Sequence, residues 1–212
     1  MDTPNLYPVK LAKSAVNTGI ILSLFDYTGT WSKPYRTAGY RVIQVDLKLG
    51  IDLLAWNYKA IPEKLVCGIL AAPECTHYTV SGAQYWNDKD ACGTTEQVNI
   101  TVRKTLEIIN HFKPEFWALE NPVGRISKIF PELGKPWYWQ PWQFGDPWTK
   151  KTGLWGKFNR PDTFSVKPVE WSKQGSWTQL LGGNNEHTKE LRSVTPPGFA
   201  KAFFKANNPL KY

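Results

Sequence analysis

The chain has 212 residues and carries 26 Lys and Arg side chains against 18 Asp and Glu, a formal net charge of +8. Its length suits a single domain, because chains beyond roughly 250–300 residues tend to divide. Hydrophobic residues make up 42% and charged residues 21% of the sequence, a balance that excludes a disordered chain. No apolar run approaches the ~20 residues that a membrane-spanning helix needs, so we expect no membrane partner.

The cysteines and the N-terminal residues indicate the compartment. Three cysteines, Cys67, Cys75 and Cys92, cannot all pair, and none lies in a Cys-x-x-Cys motif. A disulfide scaffold and a structural zinc site are therefore both disfavoured. The first residues lack the apolar run of a secretory signal. We expect a reducing, cytoplasmic setting and no metal ligands.

The excess of basic residues and the 11 tryptophans are the features of the composition that say most about a binding partner. A basic balance favours a polyanionic partner, and flat aromatic side chains beside basic ones can stack on nucleic acid bases. The alternative is that the tryptophans only fill the core, and composition favours neither interpretation.

The predicted elements begin after a polar N-terminal lead-in, residues 1–18. Residues 19–25 form a short, β-branched apolar run closed by turn residues, which predicts a buried strand. A helix is predicted to begin near Ser32 and to end at Gly39. Residues 41–46 predict a second strand, which ends in an acid.

The middle of the chain repeats this alternation. Residues 65–71 predict a third strand, which leads into the segment that contains Cys75. Apolar residues recur at helical spacing over 94–112 and predict a long helix. A strand over 116–119 follows and ends immediately before Glu120.

The C-terminal third is less regular. Strands are predicted near 139–144 and 154–155, whereas residues 157–192 are polar and rich in turn residues, which predicts loops. A final helix is predicted over 198–206, after two prolines.

Alternating strands and helices predict an α/β fold with a doubly wound, mostly parallel sheet covered on both faces. In such sheets, functional residues collect at the carboxyl ends of the strands. Here Asp46, Cys75 and Glu120 all lie at predicted strand ends. We therefore expect them to meet at one edge of the sheet.

The first strand and turn have the pattern of a nucleotide-type site. Gly29 in a tight turn would let the backbone approach a ligand, and Asp46 would accept ribose hydroxyls. The Gly-x-Gly-x-x-Gly fingerprint is absent, however, and Asp46 is equally well explained as a surface acid at a strand end.

Cys75 and Glu120 are the candidate reactive groups. A thiolate at the end of a buried strand can attack an electrophilic carbon. A half-buried glutamate beside it gains the raised pKa of a proton donor. The alternatives are an inert buried cysteine and a carboxylate that serves as a helix cap or in an ion pair.

Six short motifs follow one another along the chain, at residues 23–29, 38–40 with Asp46, 73–79, 120–122, 144–152 and 193–197. The first fits a D-L-F-x-G-x-G turn, the third a P-P-C-Q motif followed by an aromatic residue and Ser, and the fourth an E-N-V motif. The fifth lines up without a gap on a Y-G-x-P-Q-x-R-x-R stretch. In this order the motifs resemble the C5-cytosine-specific DNA methyltransferases, in particular the small phage-type members.

The resemblance implies a Rossmann-like, S-adenosylmethionine-dependent methyltransferase fold with little or no separate target-recognition domain. It implies a catalytic core over residues 19–158 and a short, loop-rich DNA-recognition segment over 159–191. Residues 192–212 would include a C-terminal helix that packs back on the core.

The resemblance also implies a chemistry and a set of ligand-binding residues. The methyl group of S-adenosyl-L-methionine would pass to C5 of a cytosine flipped out of duplex DNA, after Cys75 attacks C6. Glu120 would contact the ring N3 and the exocyclic amine, and Lys150 would supply a cation. The cofactor would be held by Phe25, Asp26, Tyr27, Thr28, Gly29, Thr30, Trp31, Asp46, Leu47, Asp52, Pro73 and Thr195. The implied setting is the cytoplasm, or the host cytoplasm for a phage-encoded protein.

Two alternatives remain open at this point. Tyr27 replaces a family glycine, and Trp148 and Thr152 replace a glutamine and an arginine, which favours a catalytically weakened fold that binds nucleic acid. The short 159–191 segment leaves little chain to hold a duplex, which favours a methyltransferase that acts on RNA or a free nucleotide. For DNA, it predicts a short, degenerate target context and affinity that falls steeply with salt.

Overall fold

The computed structural model describes residues 19–170 and 186–209. Within them a six-stranded sheet has the order β2-β1-β3-β4-β6-β5. The first four strands in this order are parallel, and β6 and β5 are antiparallel to their neighbours. The strands are β1 (Ile20–Leu24), β2 (Arg41–Val45), β3 (Val66–Ala71), β4 (Phe116–Pro122), β5 (Trp137–Trp139) and β6 (Thr152–Lys157).

Helices cover both faces of this sheet. In the described residues they are α1 (Lys33–Thr37), α2 (Trp86–Ala91), α3 (Thr94–Phe112), α4 (Ile126–Ile129), α5 (Glu186–Ser193) and α6 (Pro197–Ala206). The doubly wound, mostly parallel α/β fold predicted from the sequence is therefore confirmed, and its topology is Rossmann-like. None of the helices in the described ranges is long and apolar enough to cross a membrane.

The alternation of β1 side chains between the two faces divides the core. Ile21 joins a cluster under α1 and α6 that includes Trp31, Tyr35 and Phe203. Ile20, Leu22 and Leu24 join a second cluster under α3, which contributes Ile108, Ile109 and Phe112. All five side chains of β1 are buried, as expected for a parallel strand covered on both faces.

Helix α6 is bonded to the core at both ends. At its beginning, the Gly198 N–H donates to Asp146 Oδ2 at 2.8 Å. Beyond its end, Asn207 exchanges hydrogen bonds with the backbone of Asn159 at 2.7 and 2.9 Å, and Tyr35 Oη donates to the Asn207 carbonyl at 3.2 Å. The end of α6 is thus joined both to the chain after β6 and to α1.

The structure supports the core-filling interpretation for part of the tryptophans. Trp31, Trp139 and Trp155 are 1, 2 and 3% exposed, so these three fill the core. Trp139 stacks on Phe199 of α6 with ring centroids 3.7 Å apart. Trp171 and Trp177 lie outside the described residues, so the stacking interpretation stays a prediction for them.

The predicted strand near 139–144 was wrong in its position. The strand ends at Trp139, and residues 141–143 form a 3₁₀ turn instead. Pro141 has no N–H for a sheet ladder, and the Gln140 and Gln143 side chains complete a capping box around the turn.

The loop predicted over 157–192 was wrong at its C-terminal end, where residues 186–193 form α5. The remaining predicted strands, the helix over 94–112 and the C-terminal helix are confirmed. The lead-in 1–18 and residues 171–185 of the predicted recognition segment lie outside the described residues.

Phe199 tests how far the fold depends on α6. Its side chain is fully buried between Trp31 and Trp139, so Phe199→Ala should lower the free energy of unfolding by about 3–5 kcal/mol through lost burial and a cavity. Urea denaturation followed by tryptophan fluorescence measures it. Phe164→Ala is the matched control, because Phe164 is 76% exposed and its loss should change stability by less than about 0.5 kcal/mol.

Candidate functional site

Cys75 lies in the segment that follows β3, at the carboxyl edge of the sheet. Ala72 N–H donates to the carbonyl of Leu24 at 3.1 Å, so this segment leaves the sheet beside the end of β1. The N–H groups of Tyr78 and Thr79 then donate back to the Cys75 carbonyl at 2.9 and 3.0 Å. These bonds close a tight turn that has the half-buried thiol at its start.

Glu120 and Asn121 come from the neighbouring strand. β4 pairs with β3 through its first half and with β6 along its length, and this pairing extends the strand through Pro122. Asn121 is fully buried, and its Nδ2 donates to the carbonyl of Pro73 at 3.1 Å. This bond joins β4 to the chain two residues before Cys75. Pro73 thus contributes a backbone acceptor from a buried position.

Lys150 lies at the same edge because it precedes β6, which runs antiparallel to β4. It lies two residues before β6, whose N-terminal end is beside the carboxyl end of β4. Its N–H donates to Gln140 Oε1 at 2.9 Å, and its Nζ donates to the carbonyl of Arg192 at 2.9 Å.

Glu120 and Lys150 both affect the ionisation of Cys75. The pKa of the Cys75 thiol is raised to about 11, chiefly by burial and then by the Glu120 carboxylate, while Lys150 opposes the increase and Glu74 adds to it. Burial also raises the pKa of Glu120, again against the effect of Lys150. The site therefore combines a thiol held in its neutral form with a carboxyl group that holds its proton more tightly than in water.

The turn after β1 is organised around a buried carboxylate. Asp26 Oδ2 accepts from the hydroxyls of Ser23 and Ser32, each at 2.8 Å. Gln44 of β2 donates to the Asp26 carbonyl at 2.6 Å. Asp26 is only 6% exposed, so it shapes the turn from within and does not present its charge at the surface.

Two residues of this turn have left-handed backbone. Gly29 has φ +65°, and a Cβ there would lie 3.0 Å from Gln44 Nε2. Phe25 has φ +60°, which costs of order 1–3 kcal/mol for a residue with a side chain. Its N–H donates to the Val45 carbonyl at 2.8 Å, which helps to hold this conformation.

The other residues predicted to hold the cofactor lie in different environments. Tyr27 and Thr28 are exposed, and Thr30 is half-buried. Trp31 lies in the core against Phe199 and Phe203, so its ring is inaccessible to a ligand.

Asp46 and Asp52 each cap a turn beyond β2. Asp46 Oδ1 accepts from Lys48 N–H and Asp52 Oδ1 from Leu54 N–H, both at 2.9 Å. A carboxylate has about four acceptor positions, so one such bond leaves capacity for ribose hydroxyls. Leu47, next to Asp46, exposes 73% of its surface.

Helix α5 lies along the same edge of the sheet and contacts residues that follow β2 and residues that precede β6. Glu190 pairs with Lys48 at 2.8 Å, beside the Asp46 turn, and the Arg192 carbonyl accepts from Lys150. Lys48 Nζ also lies 5.4 Å from the Tyr27 ring centroid. The loop predicted over 157–192 missed this helix because the sequence there is polar. Thr195 follows it, half-buried, before α6.

A cavity of about 590 Å³ lies away from these residues, between α6 and the segments 144–146 and 162–164. Lys201 and Lys205 of α6 line it together with Asp146 and Asp162, so its charged groups are balanced. Neither Cys75 nor Asp46 contributes to its wall. The reactive groups lie instead along the open carboxyl edge of the sheet.

Two solved structures resemble this chain at low sequence identity. An E. coli prophage-encoded protein, assigned provisionally as a DNA modification methyltransferase, superposes with a TM-score of 0.49 at 15% identity, over 80% of this chain and 56% of the other. The methyltransferase EhMeth of Entamoeba histolytica gives 0.46 at 13% identity, over 79% and 61%. This chain thus spans about three fifths of the length of either protein. No model of a protein family matches the chain, and no curated protein sequence matches it significantly.

The three interacting groups predict how the Cys75 thiol titrates. Its pKa is about 11, so below about pH 10 its alkylation by iodoacetamide should be slow and should rise roughly tenfold per pH unit. Glu120→Gln removes a negative neighbour and should speed the reaction at fixed pH, whereas Lys150→Met removes the cation and should slow it. Peptide mass spectrometry separates Cys75 from Cys92, whose lowered pKa makes it the fast internal reference. Equal Cys75 rates in all three proteins would contradict the coupling.

Proposed function

We propose that this chain is an S-adenosylmethionine-dependent methyltransferase that methylates C5 of cytosine in DNA through a covalent bond between Cys75 and C6 of the base. The observation that carries the proposal is that Glu120 and Lys150 affect the pKa of the Cys75 thiol at the carboxyl edge of the sheet, where the Asn121 bond to the Pro73 carbonyl joins β4 to the segment before Cys75. The resemblance of six motifs to the C5-cytosine methyltransferases supplies the reaction class.

The raised pKa of Glu120 suits the role of a hydrogen-bond donor to the base. Cytosine N3 is an acceptor, and addition of a thiolate to C6 places negative charge on the ring. A carboxyl group that keeps its proton near N3 neutralises this charge as it develops, which is the kind of electrostatic term that contributes a few kcal/mol. Burial is the main cause of the raised Glu120 pKa, so the protein environment makes protonation of this carboxyl group easier than in water.

The nucleophilic step needs the Cys75 thiol to lose its proton, which passes to solvent water or hydroxide. With a pKa of about 11, roughly one thiol in a thousand is ionised at pH 8. Protonation of Glu120 removes the largest opposing charge and leaves Lys150 to favour the thiolate. The thiolate then forms the C6–S bond while Glu120 donates to N3.

The residues at the cofactor side suit a nucleoside. Asp46 offers carboxylate oxygens to ribose hydroxyls, and exposed Leu47 beside it offers an apolar contact for a base. The tight turn through Gly29 lets the backbone approach the rest of the ligand. When bound, S-adenosylmethionine supplies an electrophilic methyl group to C5. Solvent then takes the C5 proton, the electrons of the C5–H bond re-form the C5–C6 double bond, and Cys75 leaves as a thiolate that regains a proton.

The proposed roles leave out part of the predicted ligand-binding set. Trp31 belongs to the core, and Asp26 acts through the turn that it organises. Tyr27, Thr28, Thr30, Asp52 and Thr195 remain proposed contacts on the strength of the motif resemblance alone.

DNA is the proposed partner because the chain is basic, at +8, and the proposed chemistry needs a cytosine. Within the predicted recognition segment, Arg160 and Lys167 are exposed and available to phosphates. The central part of that segment, residues 171–185, lies outside the described residues. Recognition of a short, degenerate context through an extruded cytosine therefore stays a prediction.

A second candidate function is a nucleic-acid-binding module with weakened catalysis. The raised pKa of Cys75 favours it, because two carboxylates and one ammonium group surround a thiol that reacts only when ionised. Titration calorimetry with S-adenosylmethionine separates the candidates, since a binding module needs no cofactor. A methyltransferase acting on RNA or a free nucleotide would bind the cofactor but prefer those substrates over duplex DNA.

Cys75→Ala should abolish covalent trapping on duplex DNA that contains 5-fluorocytosine, whereas Cys67→Ala and Cys92→Ala should still trap. The reason is that only Cys75 bonds to the base. Gel electrophoresis under denaturing conditions in the presence of S-adenosylmethionine detects the adduct. Glu120→Gln should lower the single-turnover rate far more than DNA affinity, because its contact strengthens as charge develops. A Cys75→Ala protein that still methylates DNA would overturn the mechanism.

Asp46→Ala should weaken S-adenosylmethionine binding by the value of a charge-assisted hydrogen bond, about 1.5–3 kcal/mol. Isothermal titration calorimetry of the folded variant measures the change. The control is Glu132→Ala, which removes an exposed acid from the turn before β5. An Asp46→Ala dissociation constant equal to that of the control would return Asp46 to the role of a surface cap.

A further inference from the structure

We propose that Arg125 is a positioning residue that holds the Cys75 turn against β4 through an ion pair with Asp90. The catalytic consequence rests on the proposed function, whereas the mechanical role stands on contacts alone. Arg125 contacts neither the thiol nor Glu120 in any described bond, so it acts through the backbone of the turn.

The backbone of residues 123–125 runs alongside the Cys75 turn and bonds to it repeatedly. Val80 N–H donates to the Val123 carbonyl at 3.0 Å, and Arg125 N–H donates to the Tyr78 carbonyl at 2.9 Å. Between them, a Cβ on Gly124 would lie 1.8 Å from the Tyr78 oxygen. Only glycine allows the two backbones to lie this close, so Gly124 is required for the contact between this segment and the Cys75 turn.

The Arg125 side chain adds a further bond to the same turn. Its Nε donates to the His77 carbonyl at 2.9 Å, two residues after Cys75. A guanidinium group is planar and has five N–H donors in a fixed fork, so a bond from Nε leaves the outer nitrogens pointing away from the turn.

Those outer nitrogens bind α2. The two terminal nitrogens of Arg125 donate to the two carboxylate oxygens of Asp90 at 2.6 and 2.7 Å, and the guanidinium lies 4.7 Å from the Trp86 ring centroid. One of them also reaches Thr95 Oγ1 at 3.3 Å. The bonds from Arg125 lower the pKa of Asp90 to about 2, so the pair is ionised across the physiological range.

The Arg125 side chain is 11% exposed and that of Asp90 46% exposed. The pair is therefore anchored on the arginine side by burial and open to solvent on the aspartate side. A lysine at 125 would keep the charge but could not make the Nε bond and the two-pronged bond together.

The position of these bonds gives them their significance. The Asn121 bond to Pro73 holds the chain two residues before Cys75, and the Arg125 bond to His77 holds it two residues after. Both arise from the short stretch that follows Glu120. The position of the thiol relative to Glu120 thus depends on one local segment. Within it, Arg125 holds the part of the turn after Cys75, and the ion pair with Asp90 holds Arg125.

The test measures Cys75 alkylation by iodoacetamide in the full chain without substrate. Arg125→Lys and Asp90→Asn should both speed it at least about tenfold at pH 8, because release of one side of the turn exposes and hydrates the thiol. The pH at which the rate levels off should also fall. Arg103→Lys is the matched control, since Arg103 forms an exposed ion pair with Glu96 on α3. Cys67 in β3, followed by the same mass spectrometry, reports general loosening of the fold.

A second experiment tests whether the Arg125–Asp90 pair affects the proposed reaction. The same two variants should trap on 5-fluorocytosine DNA at least about tenfold more slowly in a single turnover, with unchanged S-adenosylmethionine affinity, because positioning of the nucleophile is lost. Absence of trapping by the unmodified protein would overturn the proposed function. The alkylation result would still decide whether the Arg125–Asp90 pair positions the Cys75 turn.

Two results would overturn the positioning role of the Arg125–Asp90 pair. The first is a Cys75 alkylation rate in Arg125→Lys and Asp90→Asn equal to that in Arg103→Lys. The second is equal acceleration of Cys75 and Cys67 together with a lower melting temperature, which would show that the pair only stabilises the fold.

Discussion

The hydrogen bond from Asn121 to the carbonyl of Pro73 joins the two strands whose ends carry the candidate reactive groups. Asn121 is fully buried, and its Oδ1 has no hydrogen-bond partner among the described residues, so the side chain is retained at a cost of about 1–3 kcal/mol. A buried amide with one half unsatisfied would be replaced easily if it served packing alone. Its value here is geometric, since it sets where the Cys75 turn begins relative to Glu120.

Burial and the carboxylates near that turn oppose ionisation of the Cys75 thiol. Two carboxylates and one ammonium group act on Cys75, and burial adds to the carboxylates in holding the proton on sulfur. A buried, protonated thiol is a poor nucleophile toward oxidants and disulfides, which protects it in the resting protein. Among the charged groups, Glu120 has the largest effect on the pKa of the Cys75 thiol.

Helix α5 and the aromatic core connect this site to the rest of the fold. α5 contacts Lys48 in the turn after β2 and Lys150 just before β6, so its position affects both parts of the edge. α6 follows it directly and is held by stacking of Phe199 on Trp139 and by hydrogen bonds at both ends. Stability of the C-terminal helix and order at the carboxyl edge are therefore linked through a few residues of chain.

The sequence by itself determined the α/β class, most strand positions and the α3 boundaries, because the apolar spacing of strands and helices is a local property. It also predicted that Asp46, Cys75 and Glu120 follow strand ends at one edge. In the structure Asp46 directly follows β2 and Cys75 lies beyond β3, whereas Glu120 lies inside β4, which pairing with β6 extends through Pro122. Tertiary structure decided what each side chain does there: Trp31 turns into the core, and Asp26 bonds to Ser23 and Ser32. Helix α5 and the Arg125–Asp90 pair depend on partners far away in the chain, and no local pattern encodes such contacts.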